Sequence, residues 1–325
     1  MRRGALVGLV VLGCSGTRGG VLPDAREYDA AVDPCADLGD WATREARTIA
    51  RAGAGVTGMA ADDTYVYWSE PGAAVLRAPL AGGGVGEPEV LFVGGEDPSG
   101  GGALAATRDH VFVILGGQLW RVAKDGMEAD VVAIADELAA DLAAVYYFEA
   151  GQLVRLTADT LQPSTVGVWE GLASELQLSA GSAWWLAREP LAIWRMTLSD
   201  GMAGVAAQID QSGDGGGLAV AGGSVAFLGT WGAPEDPGSP PFLTRVGLDT
   251  GTSEPMIDLV DSGFAVEVDD AHVYWLEPAA GRLSRMPVEG GCVETRPHEG
   301  DSLAMTATPE GIVVATGGII ALVER

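Results

Sequence analysis

Lysine is almost missing from this chain. Lys124 is the only one among 325 residues, so arginine supplies nearly all of the 19 basic residues. Against 45 acidic residues they leave a formal charge of −26. A surface of that sign repels nucleic-acid phosphates and anionic lipid headgroups, which argues against both as partners. It is compatible with a cationic peptide or a divalent ion, and it favours solubility. Histidine is scarce too: His110, His272 and His298 are all there are, and their spacing matches no zinc cluster. No G-x-S-x-G elbow or Walker motif occurs. These absences leave no catalytic residue, metal ligand or cofactor to assign. A hydrolase or lyase stays as the alternative, because catalytic constellations are assembled in space from distant loops.

Long apolar runs are missing as well. The longest at the N-terminus is the uncharged stretch Gly4 to Gly13, which follows Arg2 and Arg3. A bilayer span needs about 20 apolar residues, so this stretch has the shape of an export signal. Its ending, Val11-Leu12-Gly13-Cys14, resembles the bacterial lipoprotein signal. That resemblance implies a signal peptide over 1–13, cleavage before Cys14 and a lipid on Cys14 as the membrane attachment. Each buried methylene of such a lipid contributes about 0.8 kcal/mol. Ser15 stands where lipoproteins kept at the inner membrane commonly carry aspartate, which implies the outer membrane, facing periplasm or cell surface. Cleavage would remove Arg2 and Arg3 and shift the side-chain balance from −26 to −28. Residues 14–40, with Gly19, Gly20, Pro23 and Pro34 and no strand periodicity, read as lipid attachment and tether. The folded domain is placed at 41–325.

What the chain does have is a rhythm. An arginine recurs in V-L-R-A-P-L (Arg77), L-W-R-V-A-K (Arg121), L-V-R-L-T-A (Arg155), I-W-R-M-T-L (Arg195), L-T-R-V-G-L (Arg245) and L-S-R-M-P-V (Arg285). The intervals are 44, 34, 40, 50 and 40 residues, and I-I-A-L-V-E follows 36 residues later with Ala321 in the arginine's place. Each copy is preceded by a β-branched or aromatic run, such as T-Y-V-Y-W at 64–68 and H-V-Y-W-L at 272–276. Such runs favour extended backbone. A small-residue stretch lies upstream of the aromatic run and a fourth run, such as E-V-L-F-V at 89–93 or M-I-D-L-V at 256–260, lies downstream. Four strands recurring at about 40 residues are the mark of propeller blades.

The expected fold is all-β: a seven-bladed β-propeller of four-stranded antiparallel blades. The last copy ends without an outer strand, and R-T-I-A-R-A at 47–52 is placed to supply it. Pairing the two termini in this way would close the ring and remove a free sheet edge. The repeated arginines then have a local structural job more readily than a shared anionic-ligand surface, bonding carbonyls or acidic turns of a neighbouring blade. The tandem aromatics belong between blades, since alternate side chains face opposite sides of a sheet.

The pairs D-D-T-Y-V-Y-W-S-E (62–70) with L-R-A-P-L-A-G-G (76–83), and D-D-A-H-V-Y-W-L-E (269–277) with L-S-R-M-P-V-E-G-G (283–291), resemble the YWTD-like propellers of bacterial extracytoplasmic proteins. Tyr67-Trp68 and Tyr274-Trp275 match the motif, whereas Tyr146-Tyr147, Trp184-Trp185 and Ala226-Phe227 depart from it. The resemblance spans about 55–325 and implies architecture more than ligand.

Three features stand outside the rhythm. Setting Cys14 aside leaves Cys35 and Cys292, a disulfide candidate for an exported chain that would clasp the incoming N-terminus to the ring. The bridge would enclose about 256 residues and add roughly 2–5 kcal/mol. The insertion G-T-W-G-A-P-E-D-P-G-S-P-P at 229–241 explains the 50-residue interval; Trp231, Glu235 and Asp236 are its candidate partner-binding residues. The turns Asp62-Asp63 and Asp269-Asp270 lack the oxygen spacing of a dedicated calcium loop, so calcium there or in the ring channel is an alternative only. Together these readings lead to a monomeric, lipid-anchored, noncatalytic binding or scaffolding protein for an envelope protein, peptide or glycan.

Overall fold

The computed structural model describes residues 40–325 apart from 54, 73, 83–84, 95–101, 189, 210–214, 231–240, 260–264, 301–303 and 317. Its described residues form seven sheets, each of four antiparallel strands. Strand β1 (Arg47–Arg51) belongs to the last blade in the ring. Blade 1 holds β2 (Gly58–Ala61), β3 (Tyr65–Glu70), β4 (Ala74–Pro79) and β5 (Glu89–Val93). Blade 2 holds β6 (Leu104–Ala106), β7 (His110–Leu115), β8 (Gln118–Ala123) and β9 (Ala129–Ile134). Blade 3 is β10 (Leu138–Ala140), β11 (Ala144–Glu149), β12 (Gln152–Thr157) and β13 (Pro163–Val168). Blade 4 is β14 (Ala173–Ser179), β15 (Ser182–Arg188), β16 (Leu191–Thr197) and β17 (Ala203–Gln208). In blade 5 come β18 (Gly215–Ala221), β19 (Val225–Thr230), β20 (Phe242–Gly247) and β21 (Thr252–Asp258). Blade 6 follows with β22 (Ala265–Val268), β23 (His272–Glu277), β24 (Arg282–Pro287) and β25 (Glu294–Pro297). Blade 7 combines β26 (Met305–Thr308), β27 (Gly311–Thr316) and β28 (Ile319–Glu324) with β1, in the order β1-β28-β27-β26.

The first strands of successive blades are neighbours all the way round, and β26 returns to β2. Closure is by the two termini, as the sequence led us to expect: Arg47 faces Leu322 and Arg51 faces Ile319. Seven hydrophobic layers make the core, one at each blade interface. The aromatic strands supply them from both faces: in blade 1, Trp68 packs toward blade 7 and Tyr67 toward blade 2. Inner strands approach one another closely where they lack side chains. A Cβ added at Gly58 would meet the Gly102 carbonyl oxygen of the next blade at 2.2 Å; within blade 2, one at Gly102 would meet that of Ile114 at 2.0 Å.

Two details differ from the sequence reading. Strand β21 begins at Thr252 and ends at Asp258, earlier than the 256–260 run, because the ladder extends to Thr252 opposite Gly247. Strand β19 continues through Gly229 and Thr230, which pair with Leu243 and Phe242, so the insertion starts after Thr230. Of the candidate site residues, Cys14, Cys35, Trp231, Glu235 and Asp236 lie outside the described residues.

The antiparallel order gives the ring two unlike faces. One carries the turns between first and second and between third and fourth strands, together with Trp41, Cys292 and the C-terminus. The other carries the connectors between blades and the hairpin turns such as Glu70-Pro71-Gly72.

Candidate functional site: interblade clamps and channel carboxylates

Register explains the arginine rhythm. Each arginine lies directly across from a central residue of the preceding strand: Arg77 from Tyr67, Arg121 from Phe112, Arg155 from Tyr146, Arg195 from Trp184, Arg245 from Phe227 and Arg285 from Tyr274. Ala321 holds the same position opposite Val314. On the other side the arginines face the fourth strand, where Glu89, Asp130, Glu254 and Glu294 stand opposite Arg77, Arg121, Arg245 and Arg285. Ion pairs form at 2.7 Å for Arg77–Glu89, 2.8 Å for Arg121–Asp130 and 2.6 Å for Arg285–Glu294.

The same guanidinium groups reach the next blade. Arg77 Nη1 donates to the Lys124 carbonyl, and Arg121 Nη1 donates to the Ala158 carbonyl at 3.4 Å. The Arg285 guanidinium lies over the Trp41 ring at 4.5 Å, and Arg296 lies over the same ring at 5.6 Å. Trp41 is 1% exposed and packs on Tyr274, so the first described turn of the chain is locked to blade 6.

The acidic turns serve the scaffold as well. Asp62 Oδ1 accepts the Thr64 and Tyr65 amides, while Oδ2 accepts the Tyr67 hydroxyl and the Lys124 ammonium at 2.6 Å. Burial raises its carboxyl, but Lys124, the two amides and Tyr67 outweigh that and hold it below the usual value. Asp269 repeats the pattern with the Ala271 and His272 amides, the Tyr274 hydroxyl and Arg325. Asp141 repeats it with Ala143, Ala144 and Tyr146. The sole lysine is thus an interblade tie. His110 and His272 occupy the same place at the start of a second strand, and burial, then a nearby arginine, lowers both.

Chemistry that the scaffold does not use gathers at the channel. Register across blades 1 to 6 places Ala60, Ala105, Ala139, Gln177, Ala219 and Glu267 in the first strand opposite the arginine-paired position of the second. Four alanines there fit the crowded axis; Gln177 and Glu267 do not follow suit. Glu267 is raised to about 8, first by burial and then by the negative charge of Glu175. Glu137, just before β10, is raised to about 7 by burial and again by Glu175. Glu175 of blade 4 thus acts on a carboxyl of blade 3 and on one of blade 6.

A bulge in β14 between Ser174 and Gln177 makes this possible: Glu175 takes φ 59°, and the Glu175 and Leu176 amides turn to the Glu137 carboxylate. Gln177 Nε2 donates to the Leu218 carbonyl, while its Oε1 accepts the Val220 amide at 3.3 Å. Glu137 and Glu267 can therefore exchange protons near neutral pH. Among the described residues no group of three or more His, Cys, Asp or Glu is arranged to hold a metal ion.

Sequence reasoning passed over these glutamates. The available signal was a charge in the middle of an otherwise small, apolar first strand, as in A-V-E-V at 265–268. Their convergence depends on ring closure, which no local spacing shows. Cys292 is half-buried in the turn before β25, while Cys14 and Cys35 fall outside the described residues.

This architecture defines the chain as a seven-bladed β-propeller. No protein-family model matches it, and no curated protein matches it. Solved structures do. The Pan2 WD40 domain of Neurospora crassa is similar over 87% of this chain and 98% of its own, at TM-score 0.64 and 8% identity. The computationally designed Ika8 protein aligns over 86% of this chain and all of its own, at TM-score 0.56 and 13% identity. BamB from Moraxella catarrhalis aligns over 82% of this chain and 84% of its own, at TM-score 0.54 and 13% identity. At these identities the likeness is one of fold.

Proposed function

We propose that this chain is a noncatalytic binding or scaffolding propeller of the YWTD-like lipoprotein kind, tethered to the bacterial outer membrane by lipid on Cys14. Its partner is an envelope protein, peptide or glycan. The observation that carries the reading is the division of labour in the ring: most of the repeated arginines, the turn aspartates and the lysine are spent on holding blades together internally or to one another, while the chain enters at Trp41 on one face. A rigid ring held from one face leaves the connector face and the rim free to bind. A Cys35–Cys292 bridge belongs to the same proposal, because Cys292 lies on the face where the chain enters. Trp231, Glu235 and Asp236, on the segment between β19 and β20, are proposed as a partner-binding loop.

Affinity recovery from membranes, comparing the full chain with a Cys14→Ser variant, tests the reading. It expects the full chain to sediment with outer membrane and the variant to be released. A full chain that is soluble and unlipidated by mass spectrometry would overturn the anchor.

One observation favours a second reading. Carboxyls raised to about 7 and 8 in one channel are suited to general acid–base work, so an extracytoplasmic hydrolase or lyase remains the competing assignment. Turnover of envelope polymers that Glu137→Gln or Glu267→Gln abolishes would support it over the first.

A further inference from the structure

Blade 4 breaks the arginine pattern in a way that exposes a site. Opposite Arg195 the fourth strand carries Gly204, where blades 1, 2, 5 and 6 carry an acid. Arg195 Nε donates to Ser182 Oγ at 2.9 Å and the guanidinium lies 5.3 Å from the Trp184 ring centre. These two contacts fix its plane. Its Nη groups have no partner among the described residues, and the side chain is exposed. Blade 3 also lacks the acid, having Ser164 there, but Arg155 spends Nε on Tyr146 and Nη1 on Thr157. Arg195 keeps both Nη groups and lines a cleft of about 360 Å³, with Met202, Val205 and Leu248 among its walls. Asp249 also lines the cleft but forms no ion pair with Arg195 among the described residues.

The strand beside it is the second observation. Outer strands tempt other chains to pair with them, and proteins guard such edges with charge or proline. Six of the seven here are guarded: β1 by Arg47 and Arg51, β5 by Glu89, β9 by Asp130, β13 by Pro163, β21 by Glu254 and Pro255, β25 by Glu294 and Pro297. Strand β17, A-G-V-A-A-Q, has neither, and Val205 in it is 53% exposed.

We propose that the outer edge of blade 4 binds an extended peptide segment that pairs with β17 and places one carboxylate on Arg195. Backbone pairing supplies affinity in such strand addition and alternate side chains supply selectivity. Here the selecting group is a planar guanidinium with two free donors at one end, matched to a carboxylate. The proposal deepens the binding reading above and rests on it.

The test uses the purified domain and a pair of labelled peptides of alternating threonine and valine, one with a central glutamate and one with glutamine. Fluorescence anisotropy reads binding to wild type, Arg195→Gln and Gly204→Glu. Space for the last variant exists, since a Cβ at Gly204 meets nothing within 4 Å, and it restores the internal ion pair of the other blades. Tighter binding of the glutamate peptide is expected, by at least about tenfold, with both variants bringing it down to the glutamine peptide's level. Equal affinities of the two peptides for wild type, or no binding of either, would overturn the proposal. So would a wild-type dimer in light scattering that Val205→Lys dissociates, because a second copy would then cover the edge. An envelope partner that still binds the Arg195→Gln domain undiminished would preserve the binding function while sinking this site.

Discussion

Arg285 and Glu294 form the most enclosed ion pair among the described residues: Nε to Oε2 is 2.6 Å, with side chains 8% and 7% exposed. The pair joins β24 to β25 while the same guanidinium covers Trp41, so one residue binds a blade to itself and to the entering chain. Removing Glu294 would strand a buried cation. We expect Glu294→Ala to lower unfolding free energy by about 3–5 kcal/mol. Glu89→Ala, in the same register but 56% exposed, should cost no more than about 1 kcal/mol. Urea denaturation of the two variants checks the ranking, and equal losses would contradict the burial argument.

The channel carboxyls predict a pH dependence. Glu267 and Glu137 bind their protons more tightly folded, about 8 and 7, than unfolded, where the ordinary value is 4.5. Below 4.5 both states are protonated and the folded state has lost nothing. As pH rises from 4.5, the unfolded state ionises first, so the contribution of these groups to stability declines until about pH 8. Glu267→Gln removes one of the groups and should raise the melting temperature more at pH 8 than at pH 5. An equal change at both pH values would show that Glu267 is solvated.

Close approach of inner strands sets a third expectation. Gly58→Ala forces a methyl group against the Gly102 carbonyl, for which the ring must shift, and overpacking of this kind costs about 1–3 kcal/mol. Gly72→Ala, at a turn with φ 93° and nothing within 4 Å, tests backbone strain alone. Calorimetry should find Gly58→Ala the broader disruption, with loss of blade 1 and 2 protection in hydrogen exchange. Protection loss confined to the substituted strand would contradict interblade crowding.

The architecture was legible because the repeat writes it seven times over. Arg77 through Arg285 mark one register, and Ala321 keeps the place after the arginine is lost. The clamp role of those arginines followed from their repetition, but their acid partners did not, since Glu89 and Asp130 sit at unequal separations from Arg77 and Arg121. Asp141 was also hidden: it caps Tyr146 as Asp62 caps Tyr67, yet lacks the doubled aspartate that drew attention to blades 1 and 6. Glu137, Glu175 and Glu267 belong to three different blades, so only a closed ring makes them neighbours. Arg195 looked like its siblings; only the cross-strand Gly204 sets it apart.

The clasp at the entry point yields a fourth prediction. A mature domain lacking Cys14 should show no thiol reactive to a thiol reagent until reduced, and then two. Reduction or Cys35→Ser should lower stability by roughly 2–5 kcal/mol, because a long loop is released in the unfolded state. Two reactive thiols in the unreduced native domain would contradict the bridge.

The most direct test of the tethered-binder account is quantitative affinity recovery on isolated outer membranes from cells producing the full chain. The account predicts that the protein sediments with the membrane through a lipidated Cys14 and retains a defined envelope component in fixed proportion. A chain that leaves the membrane in salt alone, or that retains nothing in fixed proportion while consuming an envelope polymer, would contradict it.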